Sequence, residues 1–289
     1  MIHRILSTLD KTSKKETFAV IANLVDWNNA FPRQCPKLGV EAFLKCGVRP
    51  SLIPILVNYF QNRTMRVKWH GCLSTERELA GGGPQGGTIG LLEYLAQSND
   101  CADFADVKDR FRFLDDLSLL EIVNLLSVGL ASHNVSRQIP SNIASHNQFI
   151  APENLKSQDW LNRLNQWTKA SKMKINETKT KTMIFNYSKK YQFTTELKIE
   201  DEPIEVIDQT RLLGTIITSD LKWDANCKNI IKKANARMAL LRKVSKFGAG
   251  IEDLKTLYIL FIRSLLEQSA TVWQRLRKSP KDGVENNFG

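Results

Sequence analysis

Residues 112–121 read RFLDDLSLLE, and two adjacent carboxylates, Asp115 and Asp116, interrupt an apolar run there. Burying unpaired like charges side by side is costly, because each loses its hydration and repels the other. One reading is a turn between two short apolar segments, with both aspartates in water. The other is a hairpin whose tip holds divalent metal. Periodicity leaves RFLDDLSLLEIVNLL open between strand–turn–strand and helix, so the choice rests on the rest of the chain.

The chain has 289 residues and a net charge of +11, with apolar and charged fractions ordinary for a globular protein. That length allows one large domain or two modest ones. The positive balance favours a polyanionic partner, nucleic acid first and an anionic membrane second. No stretch is long and apolar enough to span a bilayer. The start, MIHRILSTLDKTSKKE, lacks a signal-peptide core. Five cysteines, at 35, 46, 72, 101 and 227, form no CxxC pair, which argues for reduced thiols in a cytoplasmic or nuclear setting. The four histidines do not cluster with them, which disfavours zinc.

TFAVIANLV, residues 17–25, is a continuous apolar run of the kind that forms a strand buried on both faces, and it ends in Asp26. Residues 38–60 have helical period, broken at Gly47 and Pro50. In TMRVKWHG the alternation of Met65, Val67 and Trp69 with Arg66, Lys68 and His70 predicts a period-two strand with one basic face. GGGPQGG is a loop by composition, and a helix is expected from Thr88 to about Gln97. The polar stretch 132–152 reads as a long loop. It is followed by a helix from about Glu153 to Ser171 that carries Leu155, Trp160, Leu164 and Trp167 near one face. KTKTMIFNY predicts a strand, residues 195–220 two or three short strands, and the region from Trp223 toward Trp273 a basic helical unit. There Ile230, Ala234, Met238, Leu241 and Val244 make one apolar stripe. Lys228, Lys232, Lys233, Arg237, Arg242, Lys243 and Lys246 lie mostly off it.

Taken in order, six segments resemble the reverse transcriptase domain of non-LTR retrotransposons. LVDWNNAF (24–31) is similar to the first palm motif and GGGPQGGTIG (81–90) to the Pro-Gln-Gly motif. FLDDL (113–117) resembles the x-x-Asp-Asp hairpin, and MKINETKTKTMIF (173–185) the Asn-x-x-Lys-Thr motif. RLLGTIITSDLKW (211–223) resembles the Leu-Gly primer-grip hairpin, and IRSLLEQSATVW (262–273) a late thumb segment. The resemblance covers roughly residues 16–273. It implies an α+β fold: a palm of antiparallel sheet backed by helices, with a remnant of the fingers, over 1–220, and a mainly helical thumb over 221–275. Residues 276–289 are expected to be a disordered tail.

The same resemblance implies template-directed nucleotidyl transfer to a primer 3′-hydroxyl. Asp26, Asp115 and Asp116 would be the metal triad for two magnesium ions, with manganese as a substitute. Lys179 would act beside the pyrophosphate leaving group. Phe31 would gate against a ribose 2′-hydroxyl, and Gly83, Pro84, Gln85 and Gly86 would position template and incoming nucleotide. Leu213 and Gly214 would grip the primer, and Lys228, Lys232, Lys233 and Arg237 would contact nucleic acid. The implied partners are RNA template, DNA primer and deoxynucleoside triphosphates, with no membrane and no protein partner specified.

Two departures stand out. Asn29 and Pro32 flank Ala30–Phe31 where the family often has a basic residue and an acid, and Phe113–Leu114 precede the aspartates in place of the commoner Tyr-Ala. Only some 25 residues precede Asp26, so the resemblance implies that most of the fingers are missing and that the isolated chain extends primers little or not at all. The alternatives are a catalytically inactive nucleic-acid-binding remnant with the same fold and an unrelated metal-dependent nuclease.

Overall fold

A computed structural model describes residues 1–11, 17–79, 81–84, 86–126, 147–188, 192–268 and 270. The chain opens with helix α1 (Ile2–Leu9) and strand β1 (Phe18–Val25), then helices α2 (Pro36–Lys45) and α3 (Ile53–Phe60), with a 3-10 turn at Pro50–Leu52 between the two helices. Four two-residue strands follow: β2 (Thr64–Met65), β3 (Lys68–Trp69), β4 (Cys72–Leu73) and β5 (Arg77–Glu78). Next come α4 (Thr88–Gln97), β6 (Arg110–Phe113), β7 (Asp116–Asn124), β8 (Asn147–Phe149), α5 (Lys156–Ser171) and β9 (Lys181–Phe185). Short strands β10 (Gln192–Thr194), β11 (Lys198–Ile199), β12 (Glu202–Pro203), β13 (Glu205–Val206), β14 (Gln209–Leu212) and β15 (Thr215–Thr218) lead to helix α6 (Asp224–Lys246). Helix α7 (Ile251–Leu257), a π-helical turn (Tyr258–Arg263) and α8 (Ser264–Glu267) complete the described chain.

The fold is α+β, built on a five-stranded sheet in the order β13-β9-β1-β7-β6. The apolar run of β1 is central because both of its edges are paired, and its side chains fill cores on both faces. On one face Ala19, Ile21 and Val25 join Leu117, Leu119 and Val123 of β7 under Tyr94 of α4 and Leu161 and Leu164 of α5. On the other, Val20 and Ala22 meet Leu120, Met183 and Phe185 under Ile5 and Leu9 of α1, together with Ile217, Leu221 and Trp223. Helix α1 was not foreseen, although Ile2, Ile5, Leu6 and Leu9 recur at helical steps.

The sheet is not wholly antiparallel. β1 pairs antiparallel with β7 and β9, but β13 joins β9 in parallel at Glu205↔Lys181 and Val206↔Thr182. The ambiguous segment is a hairpin, β6–β7, closed by a two-residue turn at Leu114–Asp115. The period-two strand expected from Thr64 is also corrected. It breaks into β2 and β3 of a narrow two-stranded ribbon, and Met65, Val67 and Trp69 are exposed because nothing packs on their face among the described residues. Most of the expected 132–152 loop and the whole 276–289 tail lie outside the described residues.

The helix expected from Glu153 begins at Lys156, after a 3-10 turn at Pro152–Asn154. Its N-cap, Leu155, has no polar side chain. Glu121 of β7 supplies the cap, accepting the Lys156 N–H at 2.9 Å and the Ser157 N–H at 2.7 Å. The last acid of RFLDDLSLLE is therefore a structural group.

Candidate active site

β1 and β7 run in register with Val25 opposite Leu117, so one further step places Asp26 opposite Asp116, at the end of the sheet where β7 begins. Asp115 occupies the hairpin turn beside them. Leu114 has φ 55°, in the left-handed region, which a leucine adopts only under strain. The carboxylates feel one another: burial raises the Asp116 pKa above its ordinary value, and Asp115 and Asp26 push it further in the same direction. As the side chains lie, no three Asp, Glu, His or Cys groups among the described residues stand close enough together to hold an ion. Carboxylates are the hard oxygen donors that magnesium takes.

Both backbone polar groups of Asp26 are taken by the segment before β9. The Asp26 N–H donates to Thr180 Oγ1 at 3.2 Å, and the Asn176 N–H donates to the Asp26 carbonyl at 2.8 Å. Asn176 also shapes its own turn: its Oδ1 accepts from the Thr178 hydroxyl at 2.9 Å and from the Lys179 N–H at 3.3 Å. Thr180 is fully buried. Lys179 lies in the turn between Asn176 and Thr180, the two residues that bond the Asp26 backbone, with its side chain exposed. Asn176 and Thr180 stand in the Asn-x-x-Lys-Thr motif, but only Lys179 is given a role from sequence. Short oxygen-bearing side chains four residues apart at a strand entrance were the available signal.

Phe31 is half-buried and stacks on Tyr94 with centroids 5.2 Å apart. Burial drives the Tyr94 pKa upward and the nearby charge of Asp115 adds to it, so the aromatic pair lies within electrostatic reach of the hairpin tip. Phe31, Pro84, Gly86, Gly87, Thr88 and Leu91 line a cavity of about 550 Å³, which brings the first motif and the Pro-Gln-Gly loop together. The loop is anchored on the turn after Phe31: the Gly83 N–H donates to the Phe31 carbonyl and the Gly82 N–H to the Gln34 carbonyl, each at 2.9 Å. Gly82 has φ +86°, and a Cβ there would stand 3.2 Å from the Pro32 carbonyl oxygen. At Gly90 of α4 a Cβ would lie 2.1 Å from the Pro84 carbonyl oxygen. The glycines thus permit close backbone approach on both sides of the loop. Gln85 lies outside the described residues.

Leu213 and Gly214 form the turn of the β14–β15 hairpin, at φ 46° and 84°. This hairpin forms a two-stranded sheet of its own. Its tip faces Gln268, whose Nε2 would be 2.8 Å from a Cβ on Gly214. On α6, Ile230 and Ala234 are buried against Leu265, and Met238, Leu241 and Val244 are half-buried. Lys228 and Lys232 are exposed and Lys233 half-exposed, and among the described residues no acid stands within ion-pair distance of the three. Arg237 is partly committed, donating to the Phe261 carbonyl across the helical unit.

No helix among the described residues is long and apolar enough to cross a membrane. No family model matches the chain. A probable RNA-directed DNA polymerase from transposon X-element of Drosophila melanogaster is 22% identical over 253 residues, which is 86% of this chain. The chain spans about 25% of that protein's length. With the six motifs in order, this likeness makes the chain a distant relative of the RNA-directed DNA polymerases of non-LTR transposable elements.

Proposed function

We propose that the chain is the palm and thumb of a reverse transcriptase, acting on an RNA template, a DNA primer and deoxynucleoside triphosphates. The observation that carries the reading is the delivery of Asp26, Asp115 and Asp116 to one sheet end by β1 and the β6–β7 hairpin. The five-stranded sheet is the palm, and α6 with the helical turns after it is the thumb. Asp26, Asp115 and Asp116 would hold magnesium, which when bound activates the primer hydroxyl and neutralises charge on the phosphates. Asn176 and Thr180 fix the backbone of Asp26. Lys179, in the turn between Asn176 and Thr180, would give a proton to the departing pyrophosphate. Phe31 walls the cavity where the sugar of an incoming nucleotide would lie, and Gly83, Pro84 and Gly86 let backbone approach it. Leu213 and Gly214 are the primer grip in this reading.

The test is extension of a DNA primer on an RNA template by the purified chain with magnesium and deoxynucleotides, beside Asp115→Asn. Extension that the variant abolishes supports the reading. As the side chains lie, the three acids do not form a group that could hold an ion, which favours a second reading, a nucleic-acid-binding relative without turnover. That reading predicts primer–template binding with no extension. Cleavage of nucleic acid without nucleotides would assign the carboxylates to a nuclease.

A further inference from the structure

Residues 64–78 form a β-ribbon that stands away from the sheet. Its two strands pair as Thr64↔Glu78 and Met65↔Arg77 at the stem and as Lys68↔Leu73 and Trp69↔Cys72 toward the tip, where His70 and Gly71 turn with φ 45° and 84°. Between the two ladders, two residues on the outgoing strand face three on the return strand, so the ribbon carries a bulge and is twisted there. Directly opposed residues share a face, which sets Met65, Val67, Trp69 and Arg77 on one side. Their apolar members are unusually open: Met65 is 47%, Val67 58% and Trp69 73% exposed. The Trp69 ring meets His70 edge-on at 4.8 Å. Four cations stand between 63 and 78 against two acids. One of those acids, Glu76, is engaged by Thr64 and Arg66, leaving Lys68 and Arg77 to face solvent.

The ribbon is rooted on the candidate site. The Leu79 N–H donates to the Arg63 carbonyl, and Arg63 Nη1 donates to the Gly82 carbonyl, each at 2.8 Å. Gly82 belongs to the loop that runs into the cavity with Phe31. An exposed aromatic interleaved with cations, on a ribbon whose stem is bonded to that loop, matches a platform on which bases stack while the cations track the backbone.

We infer that the 64–78 ribbon binds single-stranded nucleic acid, with Trp69 as the stacking anchor, and with Arg77 on the same face and Lys68, next to Trp69 on the opposite face, as phosphate contacts. This rests on the reading of the chain as a nucleic-acid polymerase, but its test needs neither metal nor nucleotide. Anisotropy of a fluorescein-labelled oligouridylate of about 16 nucleotides would be followed for the wild-type chain, Trp69→Ala, Trp69→Phe and the double variant Lys68→Gln/Arg77→Gln. Trp69→Ala is expected to weaken binding about tenfold, and Trp69→Phe to restore most of it. Affinity for a blunt RNA–DNA duplex should be unchanged. The double variant should lower the salt slope by about 1.4, two contacts at the single-strand value. Trp69 is exposed, so equal melting temperatures are expected for all variants. Oligouridylate binding that is indifferent to Trp69 overturns the ribbon's role and leaves the polymerase reading standing. Absence of binding by the wild-type chain overturns both. Loss of self-association in Trp69→Ala, read by sedimentation, with oligouridylate affinity unchanged, would reassign the face to a contact between copies.

Discussion

Glu93 sits on α4 against Gly39 of α2, fully buried, with neither carboxylate oxygen hydrogen-bonded among the described residues. Burial pushes its pKa up to about 7 from 4.5, with Arg63 pulling the other way. An acid whose pKa is raised by folding binds more protons folded than unfolded, so its contribution is intact below the unfolded value. It is lost as pH climbs through the folded one. The chain should therefore lose up to about 3 kcal/mol between pH 4.5 and 7 from this group. Glu93→Gln should show no such loss and should be the more stable protein at pH 8, as urea midpoints at pH 5 and pH 8 will show. Phe31 gives the second prediction at this scale. Where the chain or a longer parent that contains it extends primers, Phe31→Val should raise ribonucleotide incorporation by about tenfold or more, since a removed ring no longer fills the space of a 2′-hydroxyl. Unchanged discrimination, with a stability loss of about 1–2 kcal/mol from the missing contact with Tyr94, would make Phe31 a packing residue.

At the scale of elements, the hairpin and α5 depend on each other through Glu121. Without it the first turn of α5 would leave two buried N–H groups unsatisfied, because Leu155 offers no oxygen. Glu121→Gln keeps the shape but points an amide donor at one of those N–H groups. The expected cost is about 2 kcal/mol, read as a lower urea midpoint at unchanged slope. A variant as stable as the parent would show that water or another group caps the helix. The elements differ in how legible they were. β1, β9 and α4 were readable because their apolar periods extend over a whole element. The hairpin was legible only through its resemblance to the x-x-Asp-Asp motif, because by period RFLDDLSLLEIVNLL fits a helix as well as two strands. What resolves it is pairing with β1, a contact nearly a hundred residues away in sequence. The 64–78 ribbon misled for the opposite reason. Its alternation is that of a half-buried strand, while the fold leaves both faces in water.

For the whole molecule, the net charge of +11 is concentrated in part on α6, where Lys228, Lys232 and Lys233 have no acidic partner in reach among the described residues. Replacing the three with glutamine should flatten the salt dependence of primer–template binding by roughly two to three phosphate contacts and leave circular dichroism unchanged. An unchanged slope would assign that face to solvent or protein. The sequence by itself determined the order of the six motifs and the acids at positions 26, 115 and 116, because these are written in local spacing and residue chemistry, and the α+β class came through the resemblance those motifs carry. The tertiary structure alone decided that Asp26 falls opposite Asp116, that Asn176 and Thr180 hold the backbone of Asp26, that Glu121 caps a helix and that Glu93 is buried. It also set β13 parallel to β9 and left Trp69 in the open. Each of these depends on which distant segments meet, and pairing register and burial are properties of that meeting, not of any window of residues.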